Sequence, residues 1–268
     1  MNSRGKLRTP IILWVVVSIA LAALYLFLSP ILAQAGAYPT AASDVADSQV
    51  YIMQVFTLLS IPVFVGVVVF AAYSIFAFRS RGRPTEIGPQ VHGNSKLLAW
   101  WLIASFVLVT ILYVIGFDGL AQLEAAAPAS ALHVRVTAQQ WIFNYTYTDY
   151  NIQSSTLYLE LNQPVEFTVT SLDVHHSFWI PEMGVKADAV PGELNTFVAT
   201  PNKLGHYTVR CMELCGVLHS DMNTNVIVLT PTDFGTWISQ QMGAQPAGAT
   251  AAAQMPEAAL LGASGKRS

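Results

Sequence analysis

Long uncharged runs of apolar residues dominate the first half of the chain. They extend over residues 10–43, 48–78 and 97–117. A helix needs roughly 20 predominantly apolar residues to cross the hydrocarbon layer of a bilayer, and each run is long enough to do so. The pattern therefore predicts membrane-spanning helices in the N-terminal half of the protein.

Positively charged residues accompany two ends of these runs. The basic residues before the first run are Arg4, Lys6 and Arg8. Those between the second and third runs are Arg79, Arg81, Arg83 and Lys96. Because loops rich in Lys and Arg stay on the cytoplasmic side, both stretches are expected there. Residues 48–120 are then predicted to form a transmembrane helical hairpin whose second helix leads to the outer face. The chain would be a multi-pass protein of the cell (plasma) membrane with its C-terminal half on the periplasmic or extracellular side.

The first run, within residues 1–37, has two interpretations. Its basic start and the small residues Ala33-Gln34-Ala35 or Ala35-Gly36-Ala37 are typical of a signal peptide with a cleavage site. Its apolar stretch is longer than the usual signal-peptide core, so an uncleaved N-terminal anchor is the alternative. We favour cleavage.

The hydrophobic pattern changes to short alternating runs from about Ala131. Apolar and polar residues alternate over residues 132–137 and 165–170, and residues 225–229 are typical of a closing strand. The turn-forming sequences between such runs are Asn162-Gln163-Pro164, Pro191-Gly192, Pro201-Asn202 and Gly205. Residues 131–241 are therefore predicted to form one compact sandwich or small barrel. Residues 242–268, rich in Ala, Gly, Pro and Gln, are predicted to be a disordered tail.

Composition agrees with a membrane protein that carries an outer domain. Of the 268 residues, 53% are apolar and 11% are charged, which is too apolar for an ordinary soluble protein. Residues 119–241 contain eleven acidic residues and four basic ones. This excess of negative charge would attract a basic partner protein. No nucleic-acid partner is expected.

The residues that can carry chemistry are concentrated near the end of the predicted β domain. The chain has two cysteines, Cys211 and Cys215, followed by His219 and then Met222. Two thiolates, an imidazole and a thioether form a soft ligand set, which favours copper over hard cations. Each sulfur can contact two metals, so the set is richer than one copper needs. The motif therefore predicts a binuclear copper site.

Part of this motif is compatible with other structures. Two cysteines four residues apart outside the cytoplasm could form a disulfide, although His219 and Met222 at ligand spacing favour a metal. A zinc site of two Cys and two His is also conceivable. Met222 argues against zinc, because zinc rarely binds a thioether.

The order and spacing of several motifs resemble one protein family. The ligand segment reads Cys-x-Glu-x-Cys-x3-His-x2-Met, and it follows Gln140-Trp141, residues 144–150, residues 173–177 and residues 181–195. These motifs follow two predicted membrane helices in sequence. Together they are similar to those of subunit II of the haem–copper cytochrome c oxidases. The resemblance extends over residues 51–237.

The resemblance implies a fold and a metal centre. The fold is an N-terminal transmembrane α-helical hairpin followed by an all-β cupredoxin-like Greek-key barrel. The metal centre is the binuclear copper centre CuA, in which Cys211 and Cys215 would bridge the two coppers. The other ligands implied by the resemblance are His176, His219, Met222 and the backbone carbonyl of Glu213.

The resemblance also implies roles for individual side chains. Trp141 would receive electrons from the donor protein. The Glu213 carboxylate would bind a magnesium or manganese ion shared with subunit I. His176 rather than its neighbour His175 would be the copper ligand, and adjacent residues of an extended segment face opposite ways, so only one is expected to point inward.

The function implied by the resemblance is that of subunit II of a cytochrome c oxidase. CuA would accept electrons from an extracytoplasmic donor, cytochrome c or a small copper protein, and pass them to haem in subunit I for reduction of oxygen to water. Expected partners are subunit I, other oxidase subunits and membrane lipid. The alternatives are the CuA-bearing subunit of a nitric oxide reductase and a membrane-tethered copper carrier. Leu172 lies where relatives that dock cytochrome c often carry an acid, so the donor stays open.

Overall fold

Three long helices form the first part of the protein. The computed structural model describes residues 3–34, 41–77, 79, 93–123 and 126–244. The helices are α1 (Ser3–Gln34), α2 (Asp44–Ala77) and α3 (Ser95–Leu123). Each contains a stretch long and apolar enough to cross a membrane, of 27, 34 and 27 residues respectively.

The three apolar helices correct the expectation of a two-helix hairpin. The first apolar run forms a continuous helix as long as α3, so the described residues contain three candidate spans. The proposed cleavage motifs extend beyond Gln34 into residues outside the described ranges, as do Arg81 and Arg83 of the predicted cytoplasmic loop.

The described residues divide into two compact units. One contains residues 3–34, 51–77, 79 and 93–119, and the other contains residues 41–50, 120–123 and 126–244. The second unit therefore includes the beginning of α2, which the sequence analysis did not place in the β domain. Its remaining elements are β1 (Leu132–Gln139), β2 (Ile142–Tyr147), β3 (Ile152–Ser154), β4 (Leu157–Glu160), β5 (Val165–Ser171), β6 (His176–Ile180), β7 (Val185–Ala189), β8 (Asn195–Ala199), β9 (Gly205–Cys211), β10 (Asn223–Leu229) and α4 (Pro231–Ala244).

The ten strands form two five-stranded sheets. Their orders are β3-β2-β1-β5-β8 and β4-β10-β9-β6-β7. The pairs β1–β5 and β4–β10 are parallel, and the other neighbouring pairs are antiparallel. The strands predicted at residues 132–137, 165–170 and 225–229 are present as β1, β5 and β10.

A buried aromatic cluster joins the two sheets. Phe178 on β6 is fully buried, and its ring centroid lies 5.9 Å from that of Phe143 on β2 and 5.8 Å from that of Phe167 on β5. Alternate residues of each strand point to the same face, so the apolar positions of both sheets meet in one core. This core fixes the β6 and β9 ends that carry the candidate site.

The segment that opens α2 packs into the β domain. Ala42 and Ser43 are fully buried there. The backbone N–H of Ala42 donates to the carbonyl of Glu182 at 2.7 Å, and the Ser43 hydroxyl donates to the carbonyl of Met183 at 2.7 Å. A fragment that begins at residue 131 would lack these contacts.

A C-terminal helix, α4, closes the described part of the β domain. The Thr230 hydroxyl accepts the Asp233 backbone N–H at 3.2 Å, and Pro231 is the first helical residue, so the chain begins a helix here. Trp237 packs on Tyr158 with 4.5 Å between ring centroids. Helix α4 runs to Ala244, so residues 242–244 are helical and not part of a disordered tail; residues 245–268 lie outside the described residues.

Candidate metal centre

Sheet register brings the first two candidate ligands together. His176 opens β6, Cys211 ends β9, and these strands are antiparallel neighbours with Phe178 opposite Cys211. The β9–β10 connection then supplies Cys215, His219 and Met222. The Cys211 N–H donates to the Met222 carbonyl at 3.1 Å, which closes this connection into a loop. Residues 35 positions apart in sequence thus meet at one end of the sandwich.

The candidate donor atoms surround the two sulfur atoms at contact distance. Sγ of Cys211 lies 3.8 Å from Sγ of Cys215 and 3.8 Å from Nδ1 of His176. Sγ of Cys215 lies 3.6 Å from Nδ1 of His219 and 3.7 Å from Sδ of Met222. The carbonyl oxygen of Glu213 lies 3.3 Å from Sγ of Cys211. All six predicted ligand residues therefore meet in one cluster.

Both cysteines are free thiols in this cluster. Their sulfur separation of 3.8 Å is far above the roughly 2.05 Å of a disulfide bond. Ligand atoms of His176, Cys211 and Cys215 all lie within 4.8 Å of one another, a spacing suited to metal binding. The geometry therefore disagrees with the disulfide alternative and fits a metal centre.

Burial makes the Cys215 thiol a poor anion without a cation. Cys211 and Cys215 are only 6% and 4% exposed, and His176 and Met222 are fully buried. Burial, together with the adjacent Cys211, raises the pKa of the Cys215 thiol to about 11. A bound cation would favour the thiolates instead. The soft, buried and mutually adjacent donors fit a copper centre.

An acidic residue outside the predicted ligand set orients His176. Nε2 of His176 lies 2.8 Å from Oδ1 of Asp173. Asp173 also accepts the backbone N–H groups of Gln140 at 2.7 Å and Val174 at 2.6 Å. Burial opposes ionisation of Asp173, but these hydrogen bonds and His176 outweigh it and hold its pKa below the usual range. This contact was not predicted from the sequence, although Asp173 stands three residues before His176, a spacing that was the available signal.

Trp141 lies directly against the loop that carries the cysteines. A Cβ added at Gly216 would come within 3.2 Å of Nε1 and of Cζ2 of Trp141. Gly216 has φ +129°, a conformation that side chains rarely adopt, so the loop needs glycine for two reasons. The Gln140 side-chain amide donates to the Cys215 carbonyl at 2.8 Å. Gln140 thus ties the segment that carries Trp141 to the cysteine loop, a role that was not predicted from the sequence.

Three further residues, Glu213, His175 and Asp188, are exposed. Glu213 directs its carbonyl toward Cys211 and is an exposed residue. His175 is exposed, whereas His176 is fully buried. Asp188, paired with Lys186 at 2.7 Å, has its pKa lowered by that hydrogen bond and by one from Ser177.

Apolar helices followed by a β domain with a buried soft-ligand cluster define a membrane protein with a candidate copper centre.

Known proteins with the same sequence pattern identify the family. A family model described as cytochrome c oxidase subunit II, periplasmic domain, matches residues 152–229. The alternative cytochrome c oxidase subunit 2 of Bradyrhizobium diazoefficiens is 30% identical over 212 residues, covering 67% of this chain and 75% of that protein. Cytochrome c oxidase subunit 2 of Arabidopsis thaliana is 31% identical over 214 residues, covering 70% of this chain and 81% of that protein. The chain belongs to the cytochrome c oxidase subunit 2 family.

A solved structure is also similar to part of this chain. The periplasmic domain of subunit II of a cytochrome oxidase from Bradyrhizobium japonicum is 27% identical, with a TM-score of 0.42. The match covers 44% of this chain and 98% of that one. Family membership confirms the recognition made from the sequence motifs and makes the chain a subunit of a haem–copper oxidase.

Proposed function

We propose that this chain is the electron-accepting subunit of a cytochrome c oxidase and that its buried cluster holds CuA. The ligands are His176, Cys211, the carbonyl of Glu213, Cys215, His219 and Met222. The observation that carries the proposal is the pair of free, buried thiols 3.8 Å apart, each with an imidazole nitrogen beside it. A membrane-tethered carrier would need accessible ligands, and these cysteines are almost fully enclosed.

The protein's own contribution is a rigid ligand set. When bound, the binuclear centre supplies one-electron transfer with the charge shared by two bridged coppers. His176 and Cys211 are fixed by adjacent strands of one sheet, and Asp173 holds the far nitrogen of His176. Because these donors are already in place, little of the protein has to move when the charge of the centre changes.

We assign the reception of electrons to Trp141. Its indole contacts Gly216 in the β9–β10 connection, the loop that carries the candidate ligands. The neighbouring Gln140 donates to the Cys215 carbonyl in the same loop. Electrons arriving at this indole would therefore reach the cluster through a few contacts within one loop. The alternative is that Trp141 only packs against the loop. In that case, replacing its indole with another aromatic ring would leave the electron-transfer rate unchanged.

The surroundings of Trp141 favour a donor that docks through apolar contacts. Ile142, Leu172 and Val217 are 47%, 50% and 87% exposed. Ile142 follows Trp141 in sequence, Val217 follows Gly216, and the backbone N–H of Leu172 donates to the carbonyl of Ala138. The nearby carboxylate of Asp173 is engaged by His176 and by backbone N–H groups. We propose a cytochrome c or small copper protein with an apolar contact surface. Its docked contacts would depend weakly on salt, whereas the excess of acidic residues over residues 119–241 would speed the approach of a basic partner at low salt.

We also propose how the subunit is placed in its assembly. The exposed Glu213 carboxylate would bind the magnesium or manganese ion shared with subunit I, while the Glu213 carbonyl faces the cluster. The two-sheet domain would be a cupredoxin-like Greek-key fold on the periplasmic or extracellular side of the cell membrane. The apolar helices and the match of residues 152–229 to a periplasmic-domain family model support this placement.

Electron paramagnetic resonance of the copper-loaded, full-length chain in detergent tests the copper assignment. We expect hyperfine splitting from one electron shared equally by two copper nuclei. A single-copper spectrum, or binding of zinc in preference to copper, would overturn it. Cys215→Ser is the matched variant, because it removes one bridging sulfur and should abolish the shared-electron signal. Oxygen uptake by the purified complex with reduced cytochrome c then separates an oxidase from a nitric oxide reductase.

A further inference from the structure

A specific side-chain contact joins α1 to α2 inside the membrane-helix unit. The indole Nε1–H of Trp14 donates to the carbonyl of Pro62 at 2.7 Å. A Cβ added at Gly66 would lie 3.2 Å from Nε1 of Trp14 and 3.6 Å from Cδ1. Trp14 thus lies over the one position on this turn of α2 that has no side chain.

This contact is of the kind that fixes helix packing in a bilayer. Between helices surrounded by lipid, the hydrophobic effect contributes little, so small residues that allow close approach and interhelical hydrogen bonds decide which faces meet. An indole N–H without a partner in the hydrocarbon layer is costly. Pairing Trp14 with Pro62 satisfies that donor. Gly66 provides the space for the ring.

The contact is one end of a longer antiparallel interface. Tyr25 and Leu32 of α1 line a groove of about 330 Å³ together with Thr57 and Ile61 of α2. Later residues of α1 therefore face earlier residues of α2, as antiparallel helices require. Val65 and Val69, which neighbour Gly66 on α2, are only 4% and 8% exposed.

Helix α3 uses other positions of α2. Leu59, Val63 and Val67 of α2 line a separate groove of about 390 Å³ with Leu108 and Leu112 of α3. The two neighbours of α2 thus do not compete for one face. An α1 that left the protein would expose the Gly66 surface without affecting the α3 side.

We propose that α1 remains in the mature subunit as a third membrane span, docked on α2 through Trp14, Pro62 and Gly66. A cleavable signal peptide has an apolar core of roughly 7–15 residues, whereas the candidate membrane span of α1, Arg8–Gln34, has 27 residues. Retention is the alternative to the cleavage that the sequence analysis favoured. The Gly66 face of α2 is then occupied by this chain, so other oxidase subunits must contact the helices elsewhere.

Two measurements on the intact protein test this inference. Intact mass and N-terminal sequencing of the subunit, taken from the purified complex, should give a chain that still contains α1. A chain beginning at Gly36 or Tyr38, immediately after the cleavage motifs, would overturn the proposal.

Helix docking is tested separately with a pair of glycines. Gly66→Leu should lower the thermal unfolding midpoint of the full-length chain in detergent, because the new side chain meets Trp14. Gly116→Leu on α3 is the control, since a Cβ at Gly116 meets nothing within 4 Å. Adding Trp14→Ala to Gly66→Leu should recover part of the loss. Equal effects of the two glycine variants, or no recovery, would show that Trp14 does not dock at Gly66.

Discussion

Asp173 and His176 form the contact that orients the candidate copper ligand. Nε2 of His176 lies 2.8 Å from Oδ1 of Asp173, while Nδ1 of the same ring faces Sγ of Cys211 at 3.8 Å. A ring whose far nitrogen donates to a carboxylate presents its other nitrogen as a lone pair. The pair therefore selects the tautomer that can bind a metal.

Asp173→Asn should weaken copper binding without removing a ligand. Loss of the carboxylate reduces the basicity of His176 and loosens its orientation, so we expect copper affinity to fall roughly 10- to 100-fold. Competition with a copper chelator measures the affinity, and the resonance spectrum should show altered hyperfine coupling. Asp149→Asn is the control, because Oδ1 of Asp149 lies 3.0 Å from Nδ1 of His133, a surface histidine outside the cluster. Similar losses in both variants would contradict the orienting role.

The adjacent histidines should behave differently when replaced. His176→Ala removes an imidazole from the buried cluster, so the spectrum of an electron shared by two coppers should be lost. His175→Ala changes an exposed side chain and should leave that spectrum intact. A changed spectrum in His175→Ala with an unchanged one in His176→Ala would reverse the assignment.

Trp141→Phe should slow electron uptake while the copper spectrum stays the same. The smaller ring loses part of the indole contact with Gly216, which we propose as the route into the cluster. Stopped-flow oxidation of reduced donor by the complex measures the rate. Trp237→Phe is the matched control, because Trp237 lies on α4 and packs on Tyr158. It should lower stability and leave the rate unchanged; equal rates for Trp141→Phe and the native protein would exclude the route.

The candidate ligands could be selected from the sequence because the chemistry of soft metals restricts the donor types. Cys211, Cys215, His219 and Met222 lie within one short segment, so their spacing alone indicated a soft metal site. The contribution of His176 depended on sheet register, which pairs β6 with β9, and the sequence indicated it only through the family resemblance. Gln140 was missed because its partner Cys215 lies on another loop, which no spacing rule within one segment reveals. Asp173 was missed although it stands three residues before His176, a spacing that the sequence does show.

The helical part shows a different limit of sequence reasoning. Apolar length identified all three candidate spans, but composition could not decide whether the first is removed. Nor could it show that Ala42 and Ser43 pack into the β domain, because small residues before a membrane helix carry no pattern of their own. Helix α4 was missed although Thr230 and Pro231 form a helix start, since the surrounding strands dominated the interpretation.

Phe178→Ala should be among the most destabilising single changes in the β domain. The ring is fully buried between the sheets and lies against Phe143, Phe167 and other aromatic rings. Removing it leaves a cavity, which typically costs about 3–5 kcal/mol for a buried aromatic residue. Denaturant unfolding of the full-length chain, followed by tryptophan fluorescence, measures the loss. Phe178→Leu fills most of the space and should cost clearly less; equal costs would show that the site collapses around the cavity.

The copper-free protein should lose stability as the pH rises from about 9 to about 11. Burial and the neighbouring Cys211 raise the pKa of the Cys215 thiol from 9.0 to about 11. In that window the unfolded chain has released the proton and the folded chain still holds it, so raising the pH favours unfolding. The buried phenols of Tyr145 and Tyr147, whose pKa values are also raised, add a loss of the same sign above pH 10. Unfolding midpoints measured between pH 8 and pH 10 isolate the thiol, and Cys215→Ser should flatten the curve there; an equally steep fall in that variant would assign the effect to other groups.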